Sequence, residues 1–329
     1  MTTTSSWQSI LRQIIRASAE RRRLATALGL SEMTLSRWAN GGVLPQRPQI
    51  TRLVQVVHPQ HRQELIEALE AGPYPNIQSW LKEGPSEQVP TEFYTQVLSL
   101  RTTTTESLRF WQISEAILTQ VLEQLDPNRL GMSITLVQCM PPSRTHDNKI
   151  RSLREVAGKG TPPWDSDLTH LSLFLGMESL AGYVVEARHE ATIEDLSNDH
   201  LVPAYRTENE VSAAAYPIML GDSIVGCLSA SSTQRGYFTQ QKMALLAAFS
   251  NLASLAFNKA DFYLATQVEL RIMPPPDVQR LILDTFRQRV AKYLTNVDHQ
   301  RIQKTNFEAE REAWEAIEND LIEASYAKL

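Results

Sequence analysis

The chain has 329 residues, 42% of them hydrophobic and 21% charged, and a formal net charge of −5. That length exceeds what one core usually takes, so two domains are expected, and the composition is that of a globular protein. Two cysteines, Cys139 and Cys227, are too few for a disulfide framework or a cysteine zinc site and suit a reducing cytoplasm; no apolar run is long enough to span a bilayer, and Met1–Ser6 lacks a basic-then-apolar leader pattern.

The charge is unevenly placed. Residues 1–75 hold nine arginines against five glutamates and no lysine, a surplus of four positive charges that leaves the rest of the chain at −9. A basic head on an acidic body is the asymmetry expected when one domain meets phosphate and the other does not.

In chain order, Trp7, Ile10, Leu11, Ile14 and Ile15 fall on one helical face. A second helix runs from Glu20 to Leu28 and stops at Gly29. Ser31 is placed to cap a third, which reaches Asn40 before Gly41-Gly42. Two more helices cover about Pro48–Val57 and Pro59–Ala71. Pro and Gly punctuation then marks a linker, 76–92. One long amphipathic helix is expected over Phe93–Leu125. Strands are expected over Gly131–Met140, about Ile150–Val156, weakly at Val184–Glu186 and Ala191–Ile193, and over Ser212–Met219 and Ser223–Ala230 around the turn Gly221-Asp222. Residues 168–175 and 180–185 read as helical or irregular. A long helix is expected from Thr239 to Tyr263, and further helices over Val278–Leu294 and about Phe307–Tyr326.

The segment Arg22–Gly41 has the residue types a helix-turn-helix needs. Ala25 is small where a second helix must approach, Gly29 tolerates a positive φ, and Leu35 and Trp38 face inward from the second helix. The outward face shows Glu32, Met33, Ser36 and Arg37. This segment resembles the repressor-type (XRE-like) helix-turn-helix family over about residues 7–71. The resemblance implies that Glu32, Met33, Ser36 and Arg37 reach base edges, with Arg37 placed for a guanine, and that Ser31 and Thr34 touch phosphate. Arg22 and Arg23 read as phosphate contacts beside it. The implied partner is double-stranded DNA.

Residues 93–263 resemble a GAF domain. The resemblance rests on Ser212-Ala213-Ala214-Ala215-Tyr216-Pro217-Ile218, on the return strand Ile224–Ser231 with Gly221 and Gly226, on Phe238-Thr239 ahead of the last helix, and on Leu175–Tyr183 and Glu194-Asp195-Leu196. It implies an α+β domain with a six-stranded antiparallel sheet and a small-molecule pocket roofed by residues 160–210. Trp164, Phe174, Leu175, Ser179, Tyr183, Asp195, Tyr216 and Ser229 are the candidate lining residues. The pattern of cyclic-nucleotide relatives fails at Lys242-Met243. Neither cysteine is followed by the histidine that tetrapyrrole relatives use, so no cofactor is expected.

Enzyme signatures are incomplete. His189-Glu190 begins like a metalloprotease helix, but Ile193 stands where the second histidine belongs, and Gly158-Lys159-Gly160 is too short for a phosphate loop. The two cysteines sit in apolar strands, where inert thiols are usual.

The expected architecture is therefore multidomain: an all-α helix-turn-helix domain at 1–75, the linker, a GAF-like domain at 93–263, and a helical extension at 264–329. The expected function is a cytoplasmic, non-enzymatic DNA-binding transcription regulator, free of the membrane, whose GAF domain senses a small-molecule effector, pairs two chains, or both. One alternative is a DNA-binding or adaptor scaffold whose GAF domain binds no ligand and only associates with protein. The other is a redox enzyme of the methionine sulfoxide reductase kind. A homodimer is expected because one such head reads few base pairs. The expected seam is the stripe Trp111, Leu118, Val121 and Leu125 with Leu245, Leu252 and Phe257.

Overall fold

A computed structural model describes residues 6–75, 77–78, 88–143, 148–169, 172–196, 209–295 and 305–326. Most of the expected linker, and residues 197–208 of the expected pocket roof, lie outside the described residues. The chain divides into two compact units, Met1–Gln88 with Glu123–Leu130, and Val89–Leu122 with Gly131–Leu329. Among the described residues no helix is long and apolar enough to cross a membrane.

The first unit is helical: α1 (Trp7–Ile14), α2 (Ser18–Leu28), α3 (Glu32–Ala39), α4 (Arg47–Val56) and α5 (Pro59–Glu70). Each donates its 3.6-period apolar stripe to one core, which includes Trp7, Leu11, Leu24, Leu35, Trp38, Ile50, Leu53 and Leu69. Local chemistry sets the helix ends. The Ser6 hydroxyl accepts from the Ser9 N–H, and Ser31 does the same for Thr34. Gly29 closes α2 in the left-handed region at φ 64°, a conformation that a side chain would strain. At the far end of α3, Arg12 donates to the Ala39 carbonyl at 2.9 Å, satisfying one of the last carbonyls of the helix.

The second unit begins with α6 (Thr91–Thr103) and all but the last three residues of α7 (Glu106–Leu125). The single helix expected over 93–125 is broken. Thr104 is extended at ψ 140°, and the hydroxyls of Thr102 and Thr103 bond back to carbonyls at Leu98 and Ser99. A run of four β-branched threonines offers the backbone this alternative to a continuous helix.

The sheet follows as β1 (Met132–Cys139), β2 (Leu153–Gly160), β3 (Phe174–Leu175), then α8 (Leu180–Ala187), β4 (Ala191–Ile193), β5 (Ser212–Leu220) and β6 (Ser223–Ser232). These six strands stand in the order β3-β2-β1-β6-β5-β4, every neighbour antiparallel, and a two-residue β7 (Tyr263–Leu264) pairs the start of β6. β2 starts later than the sequence suggests. Ile150 and Arg151 bond instead to the backbone of Gln267, Glu269 and Arg271. The expected strand at 184–186 is part of α8, whose Ala181, Val184 and Val185 pack on Val137, Ala215 and Cys227. Gly226 is required where β6 crosses β1: at φ 153° a Cβ there would lie 1.9 Å from the Val137 carbonyl oxygen.

α9 (Gln240–Ala253) is capped by Thr239 and tied to β5 by the Ser250 hydroxyl, which donates to the Pro217 carbonyl at 2.8 Å. It ends ten residues before Tyr263, giving way to short 3-10 turns. The extension forms α10 (Pro276–Leu283), α11 (Phe286–Thr295) and α12 (Asn306–Tyr326), so the single helix expected over 278–294 is two. α12 is fastened to the residues just ahead of β2. Glu318 accepts from Arg151 and from the Ser152 hydroxyl, both at 2.6 Å, and Asn319 accepts a second bond from Arg151.

The stripe expected to pair two copies is largely spent inside the chain. Leu118, Val121, Leu125, Leu245, Leu252 and Phe257 are buried, and only Trp111 keeps half its surface.

Candidate functional site: an acid-lined cavity and the face of the third helix

Two places hold the candidate residues, and they are built differently. On the head, Leu35 and Trp38 anchor α3 in the core, so the rest of its circumference faces outward. Met33 is 64% exposed and Arg37 is exposed, its guanidinium resting 3.6 Å from the Met33 sulfur. Other candidates are already engaged within the head. The Ser31 hydroxyl caps α3 and lies 2.9 Å from that of Thr34, and Ser36 donates to the Glu32 carbonyl. Glu32 accepts from Arg21 on α2 at 2.8 Å and lies 3.7 Å from Arg22; the Arg21 guanidinium beside it holds its carboxyl below the usual range. Arg23 is bound to Glu20 and to the Val56 carbonyl, whereas the Arg22 side chain remains 80% exposed.

In the second unit, a cavity of about 190 Å³ opens between one face of the sheet and the segments around α8 and Trp164. Side chains alternate along a strand, so Ser133 and Thr135 of β1, Glu155 of β2, Ala213 of β5, and Ser229 and Ser231 of β6 all reach it. Trp164, Leu168, Leu173, Leu175, Ser179 and Ile193 complete much of the wall.

Four of the eight expected lining residues are therefore present: Trp164, Leu175, Ser179 and Ser229. The other four point elsewhere. Phe174 stands one residue from the cavity-facing Leu175, and Tyr216 three residues from the cavity-facing Ala213; an odd number of steps along a strand reverses the face. Phe174 packs instead on Trp314, with ring centroids 5.9 Å apart, and Tyr216 lies opposite Leu228. Tyr183 is on the outer side of α8, 55% exposed. Asp195 is bound to Arg235 at 2.7 Å.

The sequence reading missed the three carboxylates. Glu155, Glu178 and Glu210 all line the cavity. Burial pushes the Glu155 carboxyl up to about 7, and the neighbouring Glu210 charge adds to the shift. Glu210 accepts from the Ser231 hydroxyl. Glu178 accepts backbone N–H bonds from Gly176 at 2.8 Å and Met273 at 2.9 Å; burial raises its pKa while those bonds pull it down. Among the described lining residues there is no lysine, arginine or histidine. The available signal was Glu155 itself, a carboxylate two places after the apolar Leu153 and in register with the buried Val137. Among the described residues no cluster of histidine, cysteine or carboxylates has the grouping a metal ion needs.

The cysteines lie apart from any reactive arrangement. Both are buried and free, and burial raises both thiols, Cys139 to about 12.

Among known proteins, the GAF domain family profile matches residues 112–258. Solved structures resemble about half of the chain at low identity. The type II free methionine-R-sulfoxide reductase of Thermoplasma acidophilum is 14% identical, covering 48% of this chain and 97% of its own, with a TM-score of 0.35. GAF domains of the phosphoenolpyruvate-protein phosphotransferases of Acinetobacter and Coxiella burnetii are 17% and 16% identical; each covers 50% of this chain and 89% of its own, with TM-scores of 0.35 and 0.36. A comparison with curated proteins gave no match. On the family match, and with the antiparallel sheet flanked by helices that it spans, residues 112–258 of this chain form a GAF domain.

Proposed function

We propose that the chain is a DNA-binding transcription regulator whose GAF domain senses a small molecule. The observation that carries the first half is the setting of α3. Two of its side chains lock it to the head's core, its N-terminus is capped, and Arg37 is left outward and exposed on a short helix preceded by a glycine turn. That is the arrangement by which a repressor-type second helix lies in a major groove, with a planar guanidinium free to meet guanine O6 and N7 together. Arg22 lies on the neighbouring helix, exposed and suited to a phosphate. Glu32 reads as a brace between α2 and α3 rather than a base contact, since two arginines already hold it.

The cavity supports the second half. Its wall is mostly apolar, and its polar side is made of carboxylates and hydroxyls with no basic group among the described lining residues. Such a site favours a neutral or cationic small molecule and repels anions such as nucleotides. Binding changes DNA affinity only to the extent that the ligand prefers one arrangement of the protein over another. The thiols argue against a redox enzyme, because a buried thiol pushed up to about 12 supplies almost no thiolate at neutral pH. Pairing of two copies, which an operator of useful length asks for, would use the apolar residues left exposed on α6 and α7: Tyr94, Leu98, Leu108 and Trp111.

The test is DNA binding by the full chain, with duplexes selected from a random pool and affinity followed by fluorescence anisotropy. Binding should weaken linearly in log–log form as salt rises. Arg37→Ala should cost about 1–3 kcal/mol on the selected sequence and relax preference at one base pair. No salt-sensitive association with any duplex would remove the regulator reading.

A further inference from the structure

Neighbours on β2 face opposite ways, and the side away from the acid-lined cavity has a cavity of its own. It measures about 260 Å³, and its lining includes Gln138, Met140, Arg154, Tyr263, Arg311 and Trp314. Half of that wall comes from α12 and the residues after the matched GAF segment, so the extension helps build the site.

Arg154 is the unusual member. Its guanidinium carbon sits 4.3 Å from the centroid of the Trp314 ring. Its Nε is buried without a hydrogen-bond partner, and among the described residues the side chain makes no hydrogen bond or ion pair. Glu310 acts on it only through space, favouring its charged form, while burial lowers its pKa to about 10. The group therefore stays protonated at neutral pH. Stacking on Trp314 satisfies the face of the guanidinium but leaves its N–H donors, which lie in the plane, unused. A buried N–H without an acceptor, as at Nε, is costly, and an incoming acceptor removes that cost.

The platform is rigid. Trp314 is stacked on Phe286 at 4.0 Å and touches Phe174, while Glu318 fixes α12 to Arg151 one turn further on. The rest of the charge narrows the ligand. Asp261 and Glu310 line the cavity along with Arg311, so positive and negative groups are balanced. A second negative charge on the ligand would meet those carboxylates, which disfavours phosphate. A single carboxylate matches the guanidinium fork, and Met140, Val156 and Phe307 offer surface to an apolar body.

We propose that Arg154, Trp314 and the inner face of α12 form a second ligand site, separate from the acid-lined cavity, that takes a small monocarboxylic acid with a compact apolar body. The two sides of one strand then select opposite charge, and occupancy of the second side ties the C-terminal helix to the sheet.

The test uses the full chain with benzoate as probe, and benzamide and inorganic phosphate as controls, followed by calorimetric titration and thermal melting. Benzoate should bind and raise the melting temperature, and benzamide and phosphate should bind at least about tenfold more weakly, since neither presents a single carboxylate to the fork. Arg154→Met should abolish the benzoate response. If that variant does not fold, Arg154→Lys, which keeps the charge without the fork, should bind benzoate about tenfold more weakly. Equal responses to benzoate and benzamide, no response to benzoate, or a folded Arg154 variant that binds benzoate like the parent would each overturn the proposal.

Discussion

The helical head and the sheet domain handle charge in opposite ways. In the head, the pairs Arg21–Glu32 and Arg23–Glu20 lie at the surface, with side chains a quarter to a half exposed. Pairs of that kind contribute little to stability, since water and salt screen them. Arg21–Glu32 braces α2 against α3 and Arg23–Glu20 lies within α2, while Arg22 and Arg37 stay exposed. In the sheet domain, Arg151 and Glu318 are 4% and 2% exposed, and Glu155 and Arg154 each line a cavity. There, charge fixes which elements dock and what can enter. On the proposed function, the exposed arginines of the head meet DNA, whereas the charges of the sheet domain meet a small ligand or lock two elements together.

The contrast breaks first if the buried pair proves dispensable. Glu318→Ala removes the carboxylate that receives both Arg151 and Ser152, leaving a cation deep between β2 and α12. Breaking one side of such a pair costs about 3–5 kcal/mol, so urea denaturation should show a loss of that size. A change below about 1 kcal/mol, the scale of an exposed pair, would mean that α12 is held by apolar packing alone.

Glu155 gives the next largest effect, and its sign is fixed by linkage. Its native pKa is raised to about 7 from an ordinary 4.5, so the native state holds a proton that the unfolded chain has lost in that interval. Stability is therefore full below about 4.5, declines as pH rises toward 7, and levels off above. Glu155→Gln cannot ionise and should be more stable than the parent by about 1–3 kcal/mol at pH 8, with little difference at pH 4. Melting both proteins across that range checks it. Parallel curves would show that water reaches the carboxylate freely.

These two residues also mark where the sequence stops being readable. The head was legible because its signals are local: a serine cap, a glycine stop, and Leu35 and Trp38 three apart on one face. Strands β5 and β6 were legible for the same reason, as two alternating runs about Gly221-Asp222. What failed was non-local or hung on a single register step. Phe174 and Leu175 are equally apolar, and only the pairing of Arg154 with Phe174 decides which of them enters the cavity. Tyr216 falls outside by the same rule, three residues on from Ala213, the β5 residue that lines the cavity. The partnership of Arg151 with Glu318 spans 167 positions, and no periodicity signals it. The Leu118–Leu125 stripe shows the converse error: a helical apolar face does not say whether its cover comes from the same chain or another.

The smallest effect sharpens the comparison most directly, because it separates a structural role from a DNA contact at one atom. The Ser31 hydroxyl accepts from the Thr34 N–H at 3.1 Å, so it is at work as a cap before any DNA arrives. Ser31→Ala should lower the stability of the head by about 1 kcal/mol. Ser31→Asp supplies an equally good cap, and its negative charge suits a helix N-terminus, so stability should return to the parent value. If α3 approaches a phosphate backbone, that same charge must repel it, and the aspartate variant should bind selected duplexes more weakly than the parent despite melting at the same temperature. Should the aspartate variant recover both stability and DNA affinity, Ser31 acts on the helix alone and the phosphates lie elsewhere on the head.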